Sequence, residues 1–124
     1  MSVPNGLLYT SEHEWIKLDG DVATIGITDY AQSQLGDIVF VDLPQAGDAT
    51  VQMQIFGTIE AVKTVSDLFA PVNGTVLEVN AALADKPELI NQDCYGEGWM
   101  IKVKLAGATS GLLSPEEYQQ KIAE

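Results

Sequence analysis

Three stretches of this 124-residue chain hold side chains that could do chemistry. They are Lys63 inside Glu60-Ala61-Val62-Lys63-Thr64-Val65-Ser66-Asp67, the pair His13-Glu14, and Cys94 beside Tyr95-Gly96-Glu97-Gly98. His13-Glu14 suggests a zinc-protease helix, but that chemistry needs a second histidine four residues on, and position 17 is lysine. His13 is the chain's one histidine, so a histidine-based metal triad fails. Cys94 is the one cysteine, and His13 is far from it in sequence. A thiol becomes a nucleophile through an adjacent base or a lowered pKa, so Cys94 reads as a loop thiol without a catalytic role. Gly96 and Gly98 lack the lysine and serine that follow a phosphate loop, and Glu97 would repel phosphate. They read as a tight turn.

Lys63 is the only lysine between Lys17 and Lys86. Around it, Thr58, Ile59, Val62, Thr64 and Val65 favour strands, while Pro71 and Asn73-Gly74 give turn signals. The lysine therefore belongs at the tip of a hairpin, in water. An exposed ammonium is a poor nucleophile at neutral pH, so catalysis by the amine is unattractive. A long stem ending in an amine suits covalent attachment of a cofactor instead. On pattern alone an ordinary surface lysine is the more readily favoured reading.

The elements that must hold this tip are short. Residues 22–27 read as a strand after a hairpin turn at Asp19-Gly20. Thr28 caps a helix over 29–35 that Gly36 ends. Residues 38–43 form a strand stopped by Pro44. Val51, Met53 and Ile55 alternate with glutamines, the pattern of a half-buried strand. Residues 75–79 form another strand, and Asn80 caps a helical turn that Pro87 limits. Trp99, Ile101, Val103 and Leu105 alternate inward along a last strand. Ser114-Pro115-Glu116-Glu117 carries the marks of a helix start, with Leu113 and Tyr118 spaced as a staple across it. The chain is thus mainly β, with no linker or composition break, and is taken as one domain over 1–124.

Charge narrows the partners. The chain has 18 acidic residues, 6 lysines and no arginine, a net charge of −12. Nucleic acid and anionic membranes need basic side chains and are not expected partners. Soluble proteins with basic patches suit such a field, and self-repulsion favours a monomer. The start, Met1-Ser2-Val3-Pro4, has the features of neither a signal peptide nor a transit peptide, so a bacterial cytoplasmic location is expected.

Taken together, Glu60 to Leu68 with Pro71 and Gly74 resembles the glycine cleavage system H protein family. The resemblance extends over nearly the whole length. It includes Tyr9-Thr10-Ser11-Glu12-His13-Glu14-Trp15, Gly26-Ile27-Thr28-Asp29-Tyr30-Ala31-Gln32, Leu35-Gly36-Asp37-Ile38, Tyr95-Gly96-Glu97-Gly98-Trp99-Met100, and Ser114-Pro115 with Tyr118. Three positions depart from the usual pattern: Ala61 for serine, Thr64 for alanine and Cys94 for proline.

That resemblance implies a barrel-sandwich hybrid, lipoyl-domain-like, with short helices and a C-terminal helix. It implies lipoic acid in amide linkage to Lys63, presented by Glu60, Ala61, Val62, Thr64, Val65 and Ser66. The implied role is that of a non-catalytic carrier. It takes an aminomethyl group from the pyridoxal-phosphate glycine decarboxylase to the tetrahydrofolate-dependent aminomethyltransferase. It then takes the reduced dithiol to dihydrolipoamide dehydrogenase. A lipoylating enzyme is a fourth partner. A relay of lipoate to other enzymes is the alternative role. Motif position and charge suggest Glu12, Glu14 and Asp67 as contacts for the cationic amine, since a carboxylate can pair with it.

Overall fold

The computed structural model describes residues 2–107 and 109–123. In chain order the elements are β1 (Leu8–Tyr9), β2 (Glu14–Asp19), β3 (Val22–Ile27), α1 (Asp29–Leu35), β4 (Ile38–Asp42), β5 (Ala49–Thr50) and β6 (Ile55–Ala61). They continue with β7 (Val65–Phe69), β8 (Gly74–Val79), α2 (Ala82–Asp85), α3 (Leu89–Gln92), β9 (Ile101–Leu105) and α4 (Pro115–Ile122). The protein is mainly β, as expected.

The strands form two antiparallel sheets. One has six strands in the order β1-β2-β3-β9-β8-β5, and the other has three in the order β4-β6-β7. Alternation explains which side chains meet the core. Along β3, Ala23, Ile25 and Ile27 are buried; along β9, Ile101 and Val103 are. Ile38, Val41, Ile59, Ala61 and Leu68 supply the inner face of the small sheet to the same apolar cluster.

A second cluster is aromatic. Tyr9, Trp15 and Tyr118 are buried together, with Tyr95, Trp99 and Leu113 packed around them. Tyr118 stacks on Tyr9 with ring centres 4.7 Å apart. Trp15 lies opposite Gly26 in the β2–β3 register, and a Cβ on Gly26 would stand 2.7 Å from its indole. The bare glycine is what lets the ring lie flat across the strand. The indole N–H then donates to the Cys94 carbonyl at 2.9 Å.

The caps form as the local chemistry dictates. Thr28 Oγ1 accepts from Ala31 N–H, and Gly36 closes α1 with φ +82°. At α4 the Ser114 side chain accepts from Glu117 N–H while the Glu117 side chain accepts from Ser114 N–H. Leu113 and Tyr118 share the aromatic cluster, as a staple requires.

Three local expectations change. Asp19 pairs with Val22, so the first turn is Gly20-Asp21, with Gly20 at φ +63°. Residues 51–54 are no strand: Met53 N–H bonds Ala70 O and Gln54 N–H bonds Val51 O, which makes a corner between the sheets. Val51, Met53 and Ile55 are all exposed there. The alternation of apolar and polar residues was real but faced solvent. Near the end, Trp99 precedes β9 and is only part-buried, while Met100 is fully buried and donates its N–H to Ile25 O at 2.8 Å.

Candidate functional site

Lys63 stands at the tip of the β6–β7 hairpin. The ladder runs up to Glu60 opposite Val65, and Ala61 N–H donates to Thr64 O at 2.8 Å. Val62 and Lys63 sit between those last partners with negative φ. The turn therefore lacks the left-handed pair that matches strand twist. A sideways bond makes up for it: Val62 N–H donates to Asp37 O at 3.0 Å, tying the tip to the α1–β4 connection. Asn91 holds that connection in turn. Its side-chain amide donates to Gly36 O at 2.8 Å, and its Oδ1 accepts from Ile38 N–H at 2.9 Å. Asn91 escaped the sequence reading because its partners lie more than 50 positions away.

The Lys63 side chain is exposed and leans over Gly36, where a built Cβ would lie 3.6 Å from Cε and 4.0 Å from Nζ. Gly36 follows Leu35, and Leu35 lines a cleft of about 300 Å³. Glu12, His13, Tyr30, Ala31, Gln34 and Ser66 complete the lining. Ala31, Gln34 and Leu35 lie at helical spacing on one face of α1. Ser66 comes from β7, so the hairpin that carries Lys63 also forms a wall of the cleft.

The remaining wall is the loop before β2. His13 takes φ +71°, a left-handed conformation uncommon for a residue with a side chain. Its partners over-determine the position: Nδ1 lies 2.8 Å from the Tyr118 hydroxyl, and its ring centre lies 4.9 Å from that of Tyr30. Tyr118 also shares a 2.7 Å hydrogen bond with Thr28 Oγ1. One hydroxyl thus joins α4, the α1 cap and the cleft. Burial, then the Lys121 charge, hold the His13 pKa below its usual value, so the imidazole is neutral at pH 7. Sequence reading dismissed His13 as a metal ligand and missed this role, because Tyr118 is 105 positions away.

The three proposed amine contacts fall in different places. Glu12 lines the cleft. Glu14 is only 2% exposed and so is no solvated acid. Thr10 Oγ1 donates to its Oε1 at 2.5 Å, and Phe69 N–H approaches its Oε2 at 3.4 Å. Burial pushes its pKa up to about 8, so the Glu14 carboxyl is mostly protonated at neutral pH. Asp67 is exposed, opposite Thr58 on the outward side of β7, and is not among the residues that line the cleft. Cys94 is buried and its thiol is pushed up to about 12 by that burial, which leaves it unreactive as a thiolate. Among the described residues no group of three or more His, Cys, Asp or Glu could hold a metal ion. Among the described residues no helix is long and apolar enough to cross a membrane.

Known proteins match nearly the whole length of this chain. The family model for the glycine cleavage H-protein matches residues 7–124. The glycine cleavage system H protein of Bacteroides fragilis is 59% identical over 124 residues, 98% of each chain. That of Rubrobacter xylanophilus is 52% identical over 122 residues, 98% of this chain and 96% of the relative. The crystal structure of a glycine cleavage system H protein from Mycobacterium marinum superposes with a TM-score of 0.92 at 40% identity, covering 98% of this chain and 99% of that one. The two sheets and short helices accordingly agree with the lipoyl-domain-like fold that the motifs implied. On this evidence the chain belongs to the glycine cleavage H-protein family.

Proposed function

We propose that Lys63 is the attachment point of an amide-linked lipoyl arm, and that the cleft beside it holds the arm's cargo between visits to partner enzymes. The observation that carries this reading is the placement of one exposed lysine at a hairpin tip, its stem laid over the bare Gly36 that follows Leu35, a wall of the 300 Å³ cleft. These residues fit the group. The amine is free to be acylated, and Gly36 leaves a track without a side chain toward Leu35 and the cleft. When bound, the lipoyl group supplies a dithiolane that takes up an aminomethyl unit, yields it and is reoxidised.

The chain's own residues bind and orient. Ala31 and Leu35 give the cleft an apolar side for a hydrocarbon stem, and Glu12 gives it a charge for a cationic end. Glu14 lies behind Thr10 as a neutral acid, and an arriving cation would favour its ionised form. Asp67 adds an exposed carboxylate next to Ser66. The order of importance for retaining the amine is therefore Glu12 and Glu14 ahead of Asp67. The partners in this reading are the glycine decarboxylase, the aminomethyltransferase, dihydrolipoamide dehydrogenase and a lipoylating enzyme. The location is the bacterial cytoplasm. Tethering raises the effective concentration of cargo at each enzyme without adding a catalytic group.

Intact mass after expression with a lipoylating enzyme and lipoate tests the attachment. One lipoyl adduct is expected on the wild-type chain and none on Lys63→Arg. An adduct that persists in Lys63→Arg, or none on the wild type, would sink the assignment. Hydrolysis of the aminomethylated form should quicken in Glu12→Gln and Glu14→Gln and change least in Asp67→Asn.

A further inference from the structure

His13 is fixed through both its backbone and its ring. Its N–H donates to Thr10 O at 3.2 Å, and its carbonyl accepts from Thr28 N–H at 3.0 Å. The ring centre lies 4.9 Å from that of Tyr30 and 5.7 Å from that of Tyr118. Nδ1 meets the Tyr118 hydroxyl at 2.8 Å, and that hydroxyl meets Thr28 Oγ1 at 2.7 Å. Each hydroxyl has one proton to give, so the bonds from Thr28 through Tyr118 to His13 run in one of two directions.

Thr28 decides which. It is fully buried, and its Oγ1 already accepts from Ala31 N–H at 3.2 Å. Among the described residues the only acceptor within reach of its proton is the Tyr118 oxygen. Run the other way, the bonds would leave a buried hydroxyl proton without a partner, which folded proteins avoid. Thr28 therefore donates to Tyr118, and Tyr118 donates to Nδ1. A neutral imidazole whose Nδ1 accepts carries its proton on Nε2. The two ring nitrogens point apart, so with Nδ1 turned to α4 the Nε2–H turns away from it. His13 is a part-exposed wall of the cleft, and the nitrogen left for the cleft is a donor. Glu12, the next wall residue in sequence, is an acceptor. The two stand about 3.8 Å apart at Cα, as adjacent residues must.

The loaded arm has two ends of matching kind. One sulfur bears the cationic aminomethyl group, and the other, across a short carbon bridge, is a free thiol. The ammonium only donates, so it suits Glu12 and is turned away by an N–H. We propose that His13 Nε2–H is the donor that receives the arm's free sulfur, with Thr28 and Tyr118 setting its direction. The proposal rests on the reading of Lys63 as the arm's attachment point. The free sulfur gains most from a fixed donor, because as a thiolate it accepts a charge-assisted bond. The other titratable groups around the ring are Glu12 on its own loop, Tyr30 of α1, and Tyr118 and Lys121 of α4.

The test uses the lipoylated chain loaded from glycine by the glycine decarboxylase. Nitrogen NMR of the one histidine ring should show the proton on Nε2 and none on Nδ1. Alkylation by iodoacetamide across pH, read by mass on the Lys63 peptide, gives the midpoint of the arm's free thiol. In His13→Asn that midpoint should rise by about one pH unit. The shorter amide tolerates positive φ and keeps an acceptor for Tyr118, but does not extend to the Nε2 position. In His13→Gln, whose amide N–H reaches that position, the midpoint should stay within about half a unit of wild type. A proton on Nδ1 in the wild type overturns the proposal, since Nε2 would then accept from the amine. That spectrum uses the unaltered chain and decides the matter even if a variant fails to fold. An unmoved midpoint in His13→Asn also overturns the proposal, as does an equal rise in both variants, which would assign the effect to packing. Missing lipoyl mass on the wild type overturns the attachment reading and this proposal with it.

Discussion

The two sheets share one core and differ outside it. Inward, they look alike: Ile25, Ile101 and Val103 from the large sheet meet Ile38, Ile59 and Leu68 from the small one, all buried. Outward, the large sheet exposes Leu18 and Leu77 singly and sets paired charge beside them. Lys102 lies 3.9 Å from Glu78 and 5.0 Å from the centre of the Trp99 ring, and Lys104 lies 3.8 Å from Asp21. Such exposed pairs contribute about 0–1 kcal/mol each and keep a surface soluble. The small sheet presents valine, phenylalanine and unpaired-sign carboxylates in the same positions. Stability is therefore built where the sheets agree; where they disagree, the small sheet leaves Phe40 and Val65 in water.

The largest effect should come from the aromatic end of the large sheet. Trp15→Ala removes a buried indole that fills the space over Gly26 and satisfies the Cys94 carbonyl. The expected loss is about 3–5 kcal/mol, read from urea denaturation. Phe40→Ala on the outer face of the small sheet should cost under about 0.5 kcal/mol, because its side chain is already half in water. Equal losses would show that the outer face is structural, and the contrast between the sheets would fail.

Next comes Glu14. Its pKa is raised from 4.5 to about 8 by burial, so the folded chain binds a proton that the unfolded chain releases between those values. Stability from this group is complete below about pH 4.5 and falls as pH rises toward 8. Glu14→Gln keeps an acceptor for Thr10 and carries no charge. It should be more stable than wild type at pH 8 by on the order of 2–4 kcal/mol and close to it at pH 4.5. The comparison is the difference between the two proteins' denaturation midpoints across pH, which cancels the titration of the other acids. Parallel curves would mean that Glu14 is solvated and ionised, and that its role as a buried neutral acid has to be rethought.

Local chemistry made much of the scaffold legible. The Thr28 cap, the Gly36 stop and the Ser114-Pro115 start each depend on residues within a few positions, and each is found where the sequence placed it. Lys63 was legible as a tip for the same reason. What failed depended on the far side of the molecule. Val51, Met53 and Ile55 alternate like a strand, yet Ala70 takes the Met53 N–H and turns the chain instead. Glu14 was legible as a carboxylate that could pair with an amine, but not as a buried one, because Phe69, whose N–H approaches it, lies 55 positions away. The motif around His13 was visible, but its bond to Tyr118 spans almost the whole chain.

That bond gives the smallest effect and the sharpest probe of how the stable half reaches the cleft. Ser114→Ala removes the side-chain acceptor of the capping box, which should cost about 1 kcal/mol. Tyr118 lies one residue beyond the capped Glu117, so fraying of this turn loosens the hydroxyl that His13 faces at 2.8 Å. Burial is the main cause of the lowered His13 pKa, so looser packing should let it rise toward 6.5. His13 is the one histidine, so its ring resonance can be followed through a pH titration without ambiguity. The cleft should keep its residues but lose rigidity, and the aminomethylated form should hydrolyse somewhat faster. A lowered midpoint with an unmoved His13 titration would mean that α4 stabilises the aromatic cluster alone and leaves the cleft to α1 and the hairpin.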